Sequence, residues 1–302
     1  MTDTEKGRLV VLPIALALAG GLAWAGSHGG WTVGGIPLFA LLVVVALVVQ
    51  WVVFVPSYLA GTERFYDLTG SLTYLALTAL ALALGPPADT RSWLLAALVA
   101  IWAARLGSFL FRRISAAGSD RRFDEMKASF VRFLVAWTLQ GVWVCFTAGA
   151  ALAVIASDSS ARWGALSWAG LTLWVAGFTV EAVADRQKSR FRSRPENEGR
   201  FISSGLWAWS RHPNYFGEIV LWLGVALLAL PALRGWQHVT LLSPVFVTLL
   251  LTKVSGIPPL EEHADDKWGD DAEYRAYKSG TPVLVPRPPR TDGGSGGSPS
   301  PG

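Results

Sequence analysis

Ser210-Arg211-His212-Pro213-Asn214-Tyr215-Phe216-Gly217-Glu218, with the apolar run Ile219 to Leu230 directly behind it, decides how this chain is built. Pro213 suits a first helical position, where its missing N–H would have no partner anyway. The stretch therefore predicts a membrane helix that begins near Pro213 and carries its polar residues at the mouth. On that helix Asn214 and Glu218 share a face at i, i+4, and Tyr215 lies i+3 from Glu218. A helix N-terminus offers unpaired N–H groups and the positive end of a dipole, which suits a phosphate. An interfacial cap would need one polar residue, whereas a cation, an imidazole, an amide, a phenol and a carboxylate are gathered here.

Composition extends this reading to the whole chain. Of 302 residues, 52% are hydrophobic and 16% charged, with fifteen tryptophans, which marks a membrane protein. A hydrocarbon core about 30 Å thick takes about 20 apolar residues per helix. Eight candidate spans follow: about 9–26, 36–56, 71–85, 92–111, 133–156, 164–184, 214–231 and 237–254. The third is short, so seven crossings are possible. With the N-terminus in the cytoplasm and the spans alternating, 21 of the 26 Lys and Arg residues fall on the cytoplasmic side and 3 on the other. Both termini are then cytoplasmic. The same bias accounts for a pI near 9.4 without nucleic acid.

Several chemistries are excluded. The single Cys145 rules out an intramolecular disulfide and any multi-cysteine metal site. His28, His212, His238 and His263 are scattered and form no H-E-x-x-H, so no metal is expected. Neither a G-x-G-x-x-G nor a P-loop is present, so a bound nucleotide would not sit on a Rossmann or Walker turn.

Other polar clusters flank the spans. Glu63, Tyr66, Asp67 and Gly70 fall on one helical face, a costly group beside a membrane unless it pairs or works. Capping of the third span by Asp67 or Thr69 explains them equally well. Arg105, Phe109 and Arg112 share a face, with Arg105 about two turns deeper than Arg112. Gly118 to Lys127 reads as a charged cytoplasmic loop, with Arg121 and Arg122 solvated or on anionic headgroups. Glu181, Asp185, Lys188 and Arg192 recur as a polar stripe leaving the sixth span, and Arg190, Arg194 and Arg200 add charge around it. Such a mouth attracts a phosphate-bearing polyanion, its acids suiting ribose hydroxyls. Beyond the last span, Ser255 to Pro286 reads as a small cap over that mouth, and Thr291 to Gly302 as a disordered Gly/Ser/Pro tail.

Taken together, Thr62 to Leu75, Arg105 to Lys127, Asp185 to Leu223, Ser243 to Glu262 and Tyr274 to Pro286 carry a resemblance over roughly residues 36 to 288. The chain resembles the steroid 5α-reductase-like family of integral membrane proteins, in its bacterial branch long catalogued as a domain of unknown function. More distantly, the HPNY motif is similar to that of sterol reductases. The late Glu261-Glu262 pair is similar to the isoprenylcysteine carboxyl methyltransferases. The resemblance implies a helical enzyme whose NADPH threads between the later helices from the cytoplasm. Asp185, Arg192, Arg200, Asn214 and Glu218 match family cofactor positions, and His212 and Tyr215 match the sterol-reductase motif. Arg105 and Arg112 correspond to a polar helix near the nicotinamide. The family's substrate acid is a Glu–Tyr pair, for which Glu63 and Tyr66 stand here, in a local pattern that departs from the steroid enzymes.

The expectation is thus an all-α polytopic bundle of about eight helices. An N-terminal helix (1–35) precedes a reductase-like core (36–254), a cytoplasmic cap (255–290) and a tail (291–302). It would sit in a bacterial inner membrane with its cofactor site facing the cytoplasm. It would pass hydride from NADPH to an activated C=C of a lipophilic, steroid- or enone-like substrate. Glu63 and Tyr66 would be catalytic; Lys188 and Arg211, with the residues above and Glu262, would hold cofactor. The alternative is a methyltransferase using S-adenosylmethionine on a lipid or prenylated substrate. That cofactor carries no phosphate and leaves the arginines without a role.

Overall fold

The computed structural model describes residues 3–117, 123–124 and 126–289. Most of the charged loop, including Arg121 and Arg122, and the tail from Thr291 lie outside these residues. The described chain is helical: α1 Asp3–Gly26, α2 Leu38–Leu59, α3 Tyr66–Leu84, α4 Thr90–Ala117, α5 Phe130–Ile155, α6 Ala165–Arg192, α7 Pro213–Ala229, α8 Ser243–Leu249, α9 Ile257–Trp268 and α10 Ala272–Gly280. Between α1 and α2, β1 Thr32–Val33 and β2 Ile36–Pro37 form a hairpin. Its turn residues Gly34 and Gly35 both have positive φ, as a two-residue turn of this hand requires.

Among the described residues, seven helical stretches are long and apolar enough to cross a membrane, and Val10–Gly26 forms a shorter apolar helix. The protein is a polytopic helical membrane bundle. The third crossing, short in the sequence pattern, begins five residues earlier, at Tyr66 rather than residue 71. Its polar first turns tolerate an apolar setting because hydroxyls bond back along the helix. Thr69 Oγ1 donates to Phe65 O at 2.7 Å, Ser71 Oγ to Asp67 O at 3.1 Å and Thr73 Oγ1 to Thr69 O at 2.7 Å.

The chain divides into two compact units. One comprises Met1–Trp174 and Leu221–Thr248, the other Val175–Val220 and the residues from Leu249 onward. In the first, α5 is the central helix, packed by α1, α2, α3 and α4. Its small residues permit this: a methyl group on Gly141 would already meet Leu47 at 3.1 Å and Gln50 at 3.2 Å. Arg91, which the sequence pattern leaves in a loop, is fully buried at the start of α4. Its guanidinium donates to Leu228 O, to Ala161 O at 3.1 Å and to Arg162 O at 3.2 Å, tying three segments together.

In the second unit α6 and α7 meet at glycine. A Cβ on Gly217 would lie 2.6 Å from Gly177 O and 2.6 Å from Glu181 N. That approach excludes any side chain and sets the polar end of α6 beside the first turns of α7. The same seam recurs in the first unit, where a Cβ on Gly224 would lie 2.6 Å from Gly170 O.

Candidate functional site

The second unit contains an open groove of about 430 Å³, within the range of small-molecule sites. One wall is the end of α6 and the segment that follows it. Loss of helical bonding at Arg192 leaves this segment to be held by side chains. Asn197 Nδ2 donates to Phe191 O at 2.9 Å, Leu206 N to Gln187 Oε1 at 2.9 Å and Trp207 Nε1 to Ala184 O at 3.1 Å. Gly205 turns the chain there with φ +63°, close against the Gln187 amide.

The HPNY motif comes next, and the C-terminal strand of chain holds it in place. Ser210 Oγ donates to Leu284 O at 2.8 Å, Arg211 N to Pro282 O at 2.9 Å and Arg287 N to Trp209 O at 2.9 Å. His212 N in turn donates to Ser210 Oγ at 3.1 Å. α7 then begins at Pro213, as the motif predicts.

The opposite wall is α9 and α10. α9 opens on Ile257-Pro258-Pro259 and turns Leu260, Glu261, Ala264 and Trp268 to the groove. Phe201, Trp268, Tyr274 and Tyr277 form an aromatic surface, Phe201 lying edge-on to Tyr274 at 5.3 Å and roughly parallel to Tyr277 at 5.5 Å. Tyr277 Oη donates to Trp207 O at 2.8 Å, and burial pushes its pKa up. Burial, helped by the nearby Asp265 carboxylate, lifts the Tyr274 hydroxyl to about 12. Both phenols are therefore neutral donors at physiological pH.

Electrostatically the groove is cationic. Lys188, Arg192, Arg200, Arg211 and Lys267 line it against two carboxylates, Glu198 and Glu261. Glu261 is the hub: Arg211 Nη1 lies 2.6 Å from Oε2 and His212 Nε2 2.7 Å from Oε1. Lys278 adds a looser contact at 3.7 Å and pairs more closely with Asp265. Burial holds the His212 pKa below its usual value. The Glu261 bond opposes that shift, while Lys188 and Arg211 reinforce it. Glu261 is already shared with Arg211, so burial prevails. Neutral His212 then donates through Nε2–H to Glu261 and keeps Nδ1 as an acceptor. That buried Nδ1 has no hydrogen-bond partner among the described residues. The ring stacks nearly parallel on Tyr215 at 5.6 Å.

Of the cofactor residues expected from sequence, the groove brings together Lys188, Arg192, Arg200, Arg211 and His212. Asp185 and Glu218 are buried in the same unit, and Asn214 and Tyr215 occupy the first turn of α7. Glu262 is exposed, whereas its neighbour Glu261 faces His212. The stripe Ile257, Leu260, Ala264, Trp268 carries Glu261 on its face and leaves Glu262 off it, a helical period that the doubled glutamate obscured. Phe201, Trp268, Tyr274 and Tyr277 were not expected. Arg105 and Arg112 lie on α4 and belong to the first unit. Among the described residues, no group of three or more His, Cys, Asp or Glu could hold a metal.

Glu63 and Tyr66 also belong to the first unit, in a setting of their own. Glu63 is 5% exposed, and Lys127 Nζ reaches its Oε2 at 2.9 Å. This bond raises the Lys127 pKa, so the lysine is charged. Tyr66 Oη donates to Ala136 O at 3.0 Å, and Gln140 Nε2 donates to Tyr66 O at 3.0 Å. The Tyr66 ring packs on Phe123 at 4.7 Å and Trp137 at 5.2 Å.

Comparison with known proteins gives family but no activity. A Schizosaccharomyces pombe protein described as uncharacterised is 26% identical over 233 residues, covering 66% of this chain and 64% of its own length. The chain thus spans somewhat less than two thirds of that relative. No solved structure matches. The profile of DUF1295, described as a protein of unknown function, matches residues 39–281, which take in α2 through α10 and both walls of the groove, and the chain belongs to that family.

Proposed function

We propose that the protein is a membrane-embedded, NADPH-dependent reductase acting on an activated C=C of a lipophilic, steroid- or enone-like substrate. The observation that carries this reading is the groove of the second unit, where five Lys and Arg side chains outnumber two carboxylates beside an aromatic wall. Its donor set fits a dinucleotide. Arg200, exposed and without a carboxylate partner among the described residues, would take a phosphate, together with Lys188, Arg192 and Arg211. The unpartnered His212 Nδ1 would accept a ribose hydroxyl. NADPH, when bound, supplies the hydride. The Lys and Arg bias of the sequence assigns the groove to the cytoplasmic side.

Proton delivery is assigned to Tyr66, supported by Glu63. The Tyr66 hydroxyl now donates to Ala136 O, so delivery requires it to exchange that acceptor for the substrate oxygen. Glu63, whose Oε2 is held by Lys127, serves to support Tyr66.

Titration of the detergent-purified protein with NADPH, NADH and S-adenosylmethionine, read by thermal stability, tests the cofactor. A ligand that binds the folded state raises stability by mass action, about 2.7 kcal/mol at a hundredfold excess over Kd. A rise with NADPH that Asn214→Ala weakens is expected. A rise with S-adenosylmethionine alone would move the protein to the methyltransferases.

A further inference from the structure

A second, smaller recess of about 200 Å³ lies along the same helix end. Gln187, Arg190, Phe191, Arg194, Ile202 and Ser204 line it, with no acidic residue among its lining. Phe191, Asn197 and Ile202 line both recesses and form the wall between them. Gln187 and Asn197 are committed to Leu206 N and Phe191 O, which fixes that wall. The donors left over are the forked guanidiniums of Arg190 and Arg194 and the Ser204 hydroxyl. Both arginines are exposed, and neither has a carboxylate partner among the described residues. Arg190 lies in the last turn of α6 and Arg194 just beyond its end at Arg192, and both line the recess. An anion held there would offset both charges.

Depth identifies the anion. α6 starts at Ala165, and the 20 residues to Ala184 span about 30 Å at 1.5 Å each, the thickness of a hydrocarbon core. Arg190 lies six residues further on, about 9 Å, and its long side chain reaches back toward the interface. The headgroup layer beyond the hydrocarbon is roughly 5–8 Å deep on each side. Two forked donors beside the apolar Phe191 and Ile202 side chains, near that level, suit a phosphate carried on an acyl chain. The recess is too small for a dinucleotide. We propose that Arg190 and Arg194 form a binding site for the phosphate of an anionic phospholipid headgroup, separate from the large groove.

Native mass spectrometry of the full chain, with titrated phosphatidylglycerol or phosphatidylcholine, tests this, and inorganic phosphate is titrated in parallel by thermal stability. Each cation near an anionic membrane surface is worth about 1 kcal/mol, so R190Q/R194Q is expected to weaken phosphatidylglycerol binding on the order of 30-fold. Phosphatidylcholine, whose choline offsets the charge of its phosphate, should bind more weakly than phosphatidylglycerol and lose less in the variant. The charge-keeping R190K/R194K should bind between wild type and R190Q/R194Q, because lysine keeps the charge and loses the fork, which separates lost charge from lost fold. Equal binding of the two lipids would overturn the proposal. So would unchanged binding in R190Q/R194Q, an equal loss in R190K/R194K, or a response to inorganic phosphate without one to phosphatidylglycerol.

Discussion

Two polar clusters in this protein use similar residues to opposite ends. Around Glu63, in the first unit, the carboxylate has Lys127, the Tyr66 hydroxyl has Ala136 O, and the Gln140 amide has Tyr66 O, all packed among Phe123, Phe133 and Trp137. Around His212, in the second unit, two carboxylates face five Lys and Arg side chains across an open groove, and a buried ring nitrogen lacks a partner among the described residues. The bonds named in the first cluster end on protein and hold its side chains in place, whereas the second has an open side lined by more cations than carboxylates. Residue type alone does not separate them; what each donor ends on does.

The contrast breaks most visibly at Lys127. Replacing it with Met removes the cation from a buried carboxylate, whereas Lys127 itself is partly solvated and would tolerate the reverse loss better. Discounted for that exposure, Lys127→Met should cost about 2 kcal/mol of stability in a thermal melt, and Glu63→Gln less. Neither should alter NADPH binding to the groove. Equal sensitivity of cofactor affinity to Lys127→Met would erase the distinction.

Arg200 gives the converse. It is exposed and makes no ion pair among the described residues, so Arg200→Ala should leave the melting temperature of the ligand-free protein unchanged. It should weaken NADPH about tenfold, the worth of one charge-assisted phosphate bond. A destabilised protein with unchanged affinity would assign Arg200 to structure instead.

The smallest effect is one of pH. The folded-state pKa of His212 is lowered, so folding favours its neutral form. Stability from this group is complete above about 6.5 and declines as pH falls below that value, by at most about 1.4 kcal/mol per pH unit, until the folded pKa is passed. His212→Gln should flatten this limb of a stability–pH curve between about 7 and 5. A limb that survives the substitution would place the titration elsewhere.

Much of the fold was legible because the bilayer leaves little choice: apolar runs of about 20 residues become helices. Span three looks short in sequence because Tyr66 to Thr73 is rich in polar residues, whose hydroxyls bond back to the helix backbone. The cationic side of the groove was legible as Lys188 and Arg192 at helical spacing. Its other wall was legible only as a cap over the mouth, and the residues that face the groove were not, since Glu261 and Trp268 meet residues about 50 and 70 positions earlier in the chain, Arg211 and Gly199, through tertiary contact. Lys127 as partner of Glu63, 64 residues away, was equally beyond local pattern. So was Arg91, whose three acceptors are backbone carbonyls and leave no trace in side-chain identity.

The most direct test is hydrogen–deuterium exchange on the full chain with and without NADPH, which asks where the ligand sits as well as whether it binds. Slowed exchange in 188–212 and 257–280, with 57–74 and 123–140 unchanged, is the predicted result. Protection confined to the segments around Glu63 and Lys127, or none at saturating NADPH, would contradict the assignment of the cationic groove as the cofactor site.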